Sequence, residues 1–223
     1  ITEEELQAAA RTRRKDNWAV QKQRGLHHIP SNDFSLYDHV LDTIAMVGAV
    51  PARYGWSGKN VDLATYFAMA RGAKNQPAME MTKWFDTNYH YIVPEFEDGM
   101  QFSLASTKAV DEFLEAKALG IITRPVLVGP LSLLLLGKMK ESTLQLPQLL
   151  DRLLPVYEQV LQQLYAAGAP WVQIDEPCLV LDLPKEVAQA YPGAYARLVQ
   201  AAPSLRILVA TYFEGLGDHM NMA

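Results

Sequence analysis

The chain holds a single cysteine, Cys178, among 223 residues. One thiol excludes an intrachain disulfide and a thiolate zinc cluster, and it is compatible with a reducing compartment. A basic excess is also missing. The formal net charge is -5, so no global positive field exists to gather nucleic acid. Long hydrophobic runs are absent too: the longest, Val126 to Gly137, is broken by Gly129-Pro130 and is too short to span a bilayer. No secretory signal, phosphate-binding loop, Rossmann glycine fingerprint or His-Glu-x-x-His motif is visible. His27, His28, His39, His90 and His219 show no metal-ligand spacing, and no Ser-His-Asp set can be proposed.

What is present is a globular composition, 49% hydrophobic and 20% charged, which can bury a sizeable core. The chain opens on Ile1 rather than Met, which reads as a processed form or a fragment with residues missing upstream. Thr2 and Glu5 form a capping-box pattern at the head of a helix reaching about Gln23. Its Arg11, Arg13, Arg14 and Lys15 read as a solvated basic face. Ser31-Asn32-Asp33 is a turn and cap cluster before an amphipathic helix carrying Tyr37, Val40, Leu41, Ile44 and Val47. Pro51 to Asn60 reads as a loop, Leu63 to Ala70 as a helix stopped by Gly72, and Pro94 to Gly99 as an acidic loop. Helices are expected over Lys108–Leu119, Leu146–Leu164 and Pro184–Ala201.

Strands are expected at Arg124–Val128, Trp171–Asp175 and Leu205–Tyr212, with a further one in the aromatic stretch after Glu80 and another possible around Leu26–Phe34. Strand and helix alternate at the spacing of repeated βαβ units, so the class is α/β. A doubly wound sheet and a (β/α)₈ barrel both fit. Polar groups gather past the strand ends, at Lys83–His90, Gly129-Pro130, Asp175-Glu176 and Thr211–Glu214. In a barrel those ends share the face on which active sites form.

The stretch Glu80–Tyr91 crowds Trp84, Phe85, Tyr89 and Tyr91 among Lys83, Asp86, Asn88 and His90. It does not alternate apolar with polar as a half-buried strand would, and it reads as a strand running out to a pocket rim. Lys83 there is a flexible point charge able to hold an anion, with the aromatics available to shield it or to stack on a planar ring. A salt bridge to Asp86 or Glu80 is the structural alternative. Asp175 and Glu176 are adjacent, so in a strand they face opposite ways and make no acid/base pair across a substrate. One is expected to line the mouth while the other makes a structural ion pair.

Several stretches together resemble cobalamin-independent methionine synthase, the 5-methyltetrahydropteroyltriglutamate–homocysteine methyltransferase. They are Ile29–Phe34 with Tyr37–Leu41, Met81–Tyr91, Pro125–Pro130, Trp171–Pro177 and Thr211–Phe213, in the family's order. Val50–Tyr54 and Tyr66–Gly72 look most like its plant-type branch. The resemblance implies two face-to-face (β/α)₈ barrels in the whole enzyme. Residues 1–223 would be the central part of the N-terminal barrel, an incomplete TIM-type barrel with its first and last strands missing. The C-terminal barrel, with its zinc, homocysteine site and methyl-transfer chemistry, would be absent, and this chain would bind no cofactor itself.

By the same resemblance, Lys83 matches the lysine that binds the glutamate tail of the folate donor. No catalytic residue is implied, and Asp175-Glu176 would be structural remnants in a non-catalytic copy. The implied partners are polyglutamyl folate and the C-terminal barrel of the same polypeptide, with no nucleic acid and no membrane. The implied location is cytoplasmic, or plastid for a plant or algal source. Two other readings stay open: a purely structural assembly module, and a self-sufficient barrel lyase or decarboxylase using Asp175 or Glu176.

Overall fold

A computed structural model describes residues 2–140 and 145–221. Ile1, on which the expectation of missing upstream residues rests, lies outside them. Helix α1 (Glu3–Gln23) begins at the expected capping box, with Thr2 Oγ1 accepting from Glu5 N and Glu5 Oε2 from Thr2 N. Strand β1 is only Pro30–Ser31, and helix α2 spans His39–Val47. The α2 cap is Asp38 rather than the Ser31–Asp33 cluster. Its Oδ1 accepts from Val40 N and Leu41 N, and its Oδ2 reaches across to Ile92 N at 3.1 Å. A short 3₁₀ turn (Ala52–Tyr54) lies within the expected loop, and helix α3 (Leu63–Arg71) stops at Gly72 as expected.

The aromatic stretch forms two short strands, β2 (Met81–Lys83) and β3 (His90–Ile92), paired antiparallel as a hairpin. This corrects the expectation of a strand in the parallel sheet, because the hairpin lies outside that sheet. The acidic loop is corrected as well. Glu95–Glu97 is strand β4, parallel to β6 (Lys138–Lys140), and Glu95 is buried against Arg53 at 2.6 Å.

Helix α4 spans Lys108–Ala118, strand β5 Arg124–Val128 and helix α5 Pro130–Leu135. Helix α6 (Leu146–Ala167) precedes strand β7 (Trp171–Asp175), and helix α7 (Lys185–Ala201) precedes strand β8 (Arg206–Ala210). The main sheet is four-stranded and parallel, in the order β1-β5-β7-β8. The α/β class with a parallel sheet is therefore met. The weakest expected strand, at β1, belongs to this sheet, and closure into a barrel is not seen among the described residues.

One face of the sheet is dry. Leu127, Val172 and Ile174 are buried, and helices α4, α6 and α7 supply core residues such as Phe113, Leu153 and Leu198. The other face carries Arg124, Val126, Gln173 and Asp175, all half-buried, which alternate with the first set as strand geometry requires. Of the basic cluster on α1, Arg11, Arg13 and Lys15 are exposed as expected, and Arg14 is not. Arg14 is 9% exposed and sits 2.6 Å from Glu115 and 3.6 Å from Glu112, tying α1 to α4.

Candidate functional site

The carboxyl-terminal ends of β1, β5 and β7, with Tyr212 just past β8, open onto a cavity of about 620 Å³. Helix α2 contributes His39, Asp42 and Thr43 to its wall, and the hairpin contributes Trp84 and Tyr89. Asp33, Asp42 and Asp175 are its carboxylates, and no lysine or arginine lines it among the described residues. Lys108 reaches in from α4 to Asp42 (3.2 Å) and Asn32 Oδ1 (2.9 Å), which offsets one of those charges.

Asp175 lines this mouth as expected. Gln173 Nε2 donates to it at 2.6 Å. Burial pushes its carboxyl up, against hydrogen bonds from Gln173 and Tyr212 and the nearby charge of Arg124. Burial also lowers His39 to about 4, leaving a neutral ring against Trp84 with 4.5 Å between ring centroids. The mouth is thus aromatic and weakly acidic.

Glu176 faces the opposite way, as adjacency in the strand requires, but the expected structural ion pair is not found among the described residues. It is completely buried, and it accepts from Leu131 N (3.3 Å), Ser132 N (2.7 Å) and the Tyr195 hydroxyl (2.8 Å). The carboxylate therefore caps the start of α5, where backbone N–H groups lack partners. Gly129 makes room for it: a Cβ there would lie 2.1 Å from Glu176 Cδ. Burial raises the Glu176 carboxyl to about 6 despite these donors. A side chain so enclosed, with its oxygens committed to the fold, is poorly placed to exchange protons with a ligand.

Lys83 sits beside the mouth but not in it. Trp84 N donates to Tyr89 O and Val93 N to Glu80 O, which fixes the hairpin register. Trp84 packs at a 5.5 Å centroid distance on Tyr91, and both are buried. Lys83 lies on the alternate face and is exposed. Of the two roles open to the stretch's aromatics, shielding of Lys83 is not met by Trp84, which strand alternation turns away from the ammonium group. The alternative, a salt bridge to Asp86 or Glu80, is not formed either: Glu80 pairs with Lys138 at 2.6 Å, and no ion pair to Lys83 occurs among the described residues.

Backbone strain at the mouth had no sequence signal. Asn32, Phe85 and Phe213 all adopt positive φ, at 60°, 50° and 84°. For phenylalanine this conformation costs on the order of 1–2 kcal/mol. The Phe85 and Phe213 rings meet at 4.9 Å, joining the hairpin turn to the segment after β8.

The described residues contain no group of three or more His, Cys, Asp or Glu able to hold a metal ion, and burial pushes the Cys178 thiol up to about 12. This donor set does not suit zinc. No described helix is long and apolar enough to cross a membrane.

Residues 1–223 match the family described as cobalamin-independent synthase, N-terminal domain. The chain is 56% identical to a 5-methyltetrahydropteroyltriglutamate–homocysteine methyltransferase of Mesorhizobium japonicum, covering 98% of this chain and 30% of the relative. It is 60% identical to the protein of the same name from Parvibaculum lavamentivorans, over 94% of this chain and 28% of the relative. The chain therefore spans about three-tenths of the length of these relatives. Among solved structures, a B12-independent methionine synthase from Shewanella sp. W3-18-1, in complex with selenomethionine, superposes with a TM-score of 0.67 at 16% identity. That match covers 95% of this chain and 53% of the Shewanella chain, and it speaks to the fold. On the match along its whole length, this chain belongs to the cobalamin-independent synthase family, as N-terminal domain sequence.

Proposed function

We propose that this chain is part of the N-terminal (β/α)₈ barrel of a methyltransferase that moves a methyl group from 5-methyltetrahydropteroyltriglutamate to homocysteine. Its own role in that enzyme is to scaffold the barrel and to hold the folate's glutamate tail through Lys83. Zinc and homocysteine would be bound by a C-terminal barrel, as the family resemblance implies. The reaction for which these relatives are named supports this reading.

The observation that carries the tail assignment is the state of Lys83: exposed at the hairpin end, with no ion pair among the described residues. An exposed ammonium free of carboxylates can take a carboxylate ligand without first breaking an internal pair. The mouth is a poor alternative for a polyanionic tail, since its described lining carries Asp33, Asp42 and Asp175, of which Lys108 pairs only with Asp42. Asp175 and Glu176 then act as structural groups.

The experiment is steady-state kinetics of the whole methyltransferase carrying Lys83→Ala. The expected result is a raised KM for the triglutamyl donor with kcat nearly unchanged. An unchanged KM would favour the purely structural module. Turnover by this chain alone would favour a self-sufficient barrel enzyme.

A further inference from the structure

Lys83 does not stand alone on its face of the hairpin. Strands β2 and β3 place it directly opposite His90. In an antiparallel ladder, opposed residues alternate between hydrogen-bonded and non-hydrogen-bonded pairs. The bonds Trp84 N to Tyr89 O and Val93 N to Glu80 O assign 84/89 and 80/93 to the first kind. Lys83/His90 is therefore of the second kind, in which the Cα atoms are only about 4.5 Å apart and the side chains are closest. Both residues are exposed, and neither forms an ion pair among the described residues.

The orientation of the imidazole is also fixed. His90 Nδ1 lies 3.0 Å from the Asn88 carbonyl oxygen, which can only accept, so Nδ1 carries the hydrogen. Nε2 is left as the free nitrogen. In the neutral ring it is an acceptor and repels a carboxylate. In the charged ring it is a second donor beside the Lys83 ammonium.

When the ring is charged, the two cations directly opposite each other repel in the absence of a ligand. Among the other charged groups, Asp86 sits in the hairpin turn, while Glu80 at the hairpin base is engaged by Lys138. From α2, His39 packs on Trp84 and Tyr89, and Asp38 bonds Ile92 N.

We propose that His90 is a second contact for the glutamate tail, forming with Lys83 a two-point carboxylate clamp that tightens when the imidazole is charged. The inference rests on the assignment of Lys83 to the tail. Lysine offers a fixed point charge, whereas an imidazole is a contact that protonation switches from acceptor to donor. A bound carboxylate favours the charged ring, so affinity should rise as pH falls.

The test is equilibrium binding of a γ-linked triglutamate, its amino terminus blocked, at pH 6 and pH 8. Binding to the unaltered protein should be about threefold to fivefold tighter at pH 6, the scale of one exposed charge pair. His90→Gln should remove that difference, and His90→Lys should hold the tighter affinity at both pH values. Lys83→Met should weaken binding at both. If His90→Gln keeps the pH dependence, or His90→Lys fails to hold the tighter affinity, while Lys83→Met still weakens binding, the clamp is overturned and the Lys83 assignment stands. If Lys83→Met changes nothing at either pH, the underlying assignment falls as well.

Discussion

Two polar regions stand close to the same sheet end, and they differ in what their charges are for. Around Glu176 the carboxylate is enclosed, its oxygens accept from two backbone N–H groups and a tyrosine, and a glycine is required to admit it. Around Lys83 the charge is exposed and has no counter-ion among the described residues. A carboxyl group whose bonds are all internal serves the fold. A charge left open is available to something outside it. Asp175 lies between these cases, half-buried at the mouth and bonded to Gln173.

The sharpest way to break this contrast is to fill the space beside Glu176. Gly129→Ala is expected to cost about 3 kcal/mol or more, because a buried carboxylate must shift off its donors. Denaturant melts check this, and a cost under 1 kcal/mol would show that Glu176 is not locked. Next in size is a pH effect. The folded-state carboxyls of Asp38 and Glu176 are both raised to about 6, from 3.8 and 4.5. The folded form therefore holds protons more tightly than the unfolded chain. Their contribution is full below about pH 4 and is lost as pH rises through 6. The expected fall is on the order of 2–5 kcal/mol between pH 4 and pH 7, superimposed on the titration of other groups. Asp38→Asn combined with Glu176→Gln should flatten that part of the curve of unfolding free energy against pH.

Asp175→Asn should have a smaller effect, a stability change of about 1 kcal/mol, with the methyl-transfer rate of the whole enzyme nearly unaltered. A large rate loss with unchanged melting would move Asp175 into the functional group. The smallest expected change in stability is that of Lys83→Ala, within about 0.5 kcal/mol, since no internal ion pair is lost. A clear drop in melting temperature would mean that its charge is structural after all.

The same contrast explains what the sequence could reveal. Local signals read correctly: the Thr2/Glu5 capping box, Gly72 after α3, and the apolar strands at Val126 and Val172. Asp175 and Glu176 were separable by strand alternation alone. The misses were long-range pairings. Arg14 looked like one of several solvated cations because Glu115 lies 101 positions away. Asp38 finds Ile92 N across 54 positions, and Glu95 finds Arg53 across 42. The hairpin escaped because no Gly or Pro marks its turn. Phe85 holds the positive φ there instead, at a cost that ring contacts to Trp84 and Phe213 help to offset.

The most direct measurement of the central claim is a backbone-amide NMR titration of this chain with the blocked triglutamate. The account predicts shifts that saturate at Thr82, Lys83 and His90, with Asn32, Asp175 and Tyr212 unmoved. Saturable shifts at the mouth residues, with the hairpin silent, would contradict it.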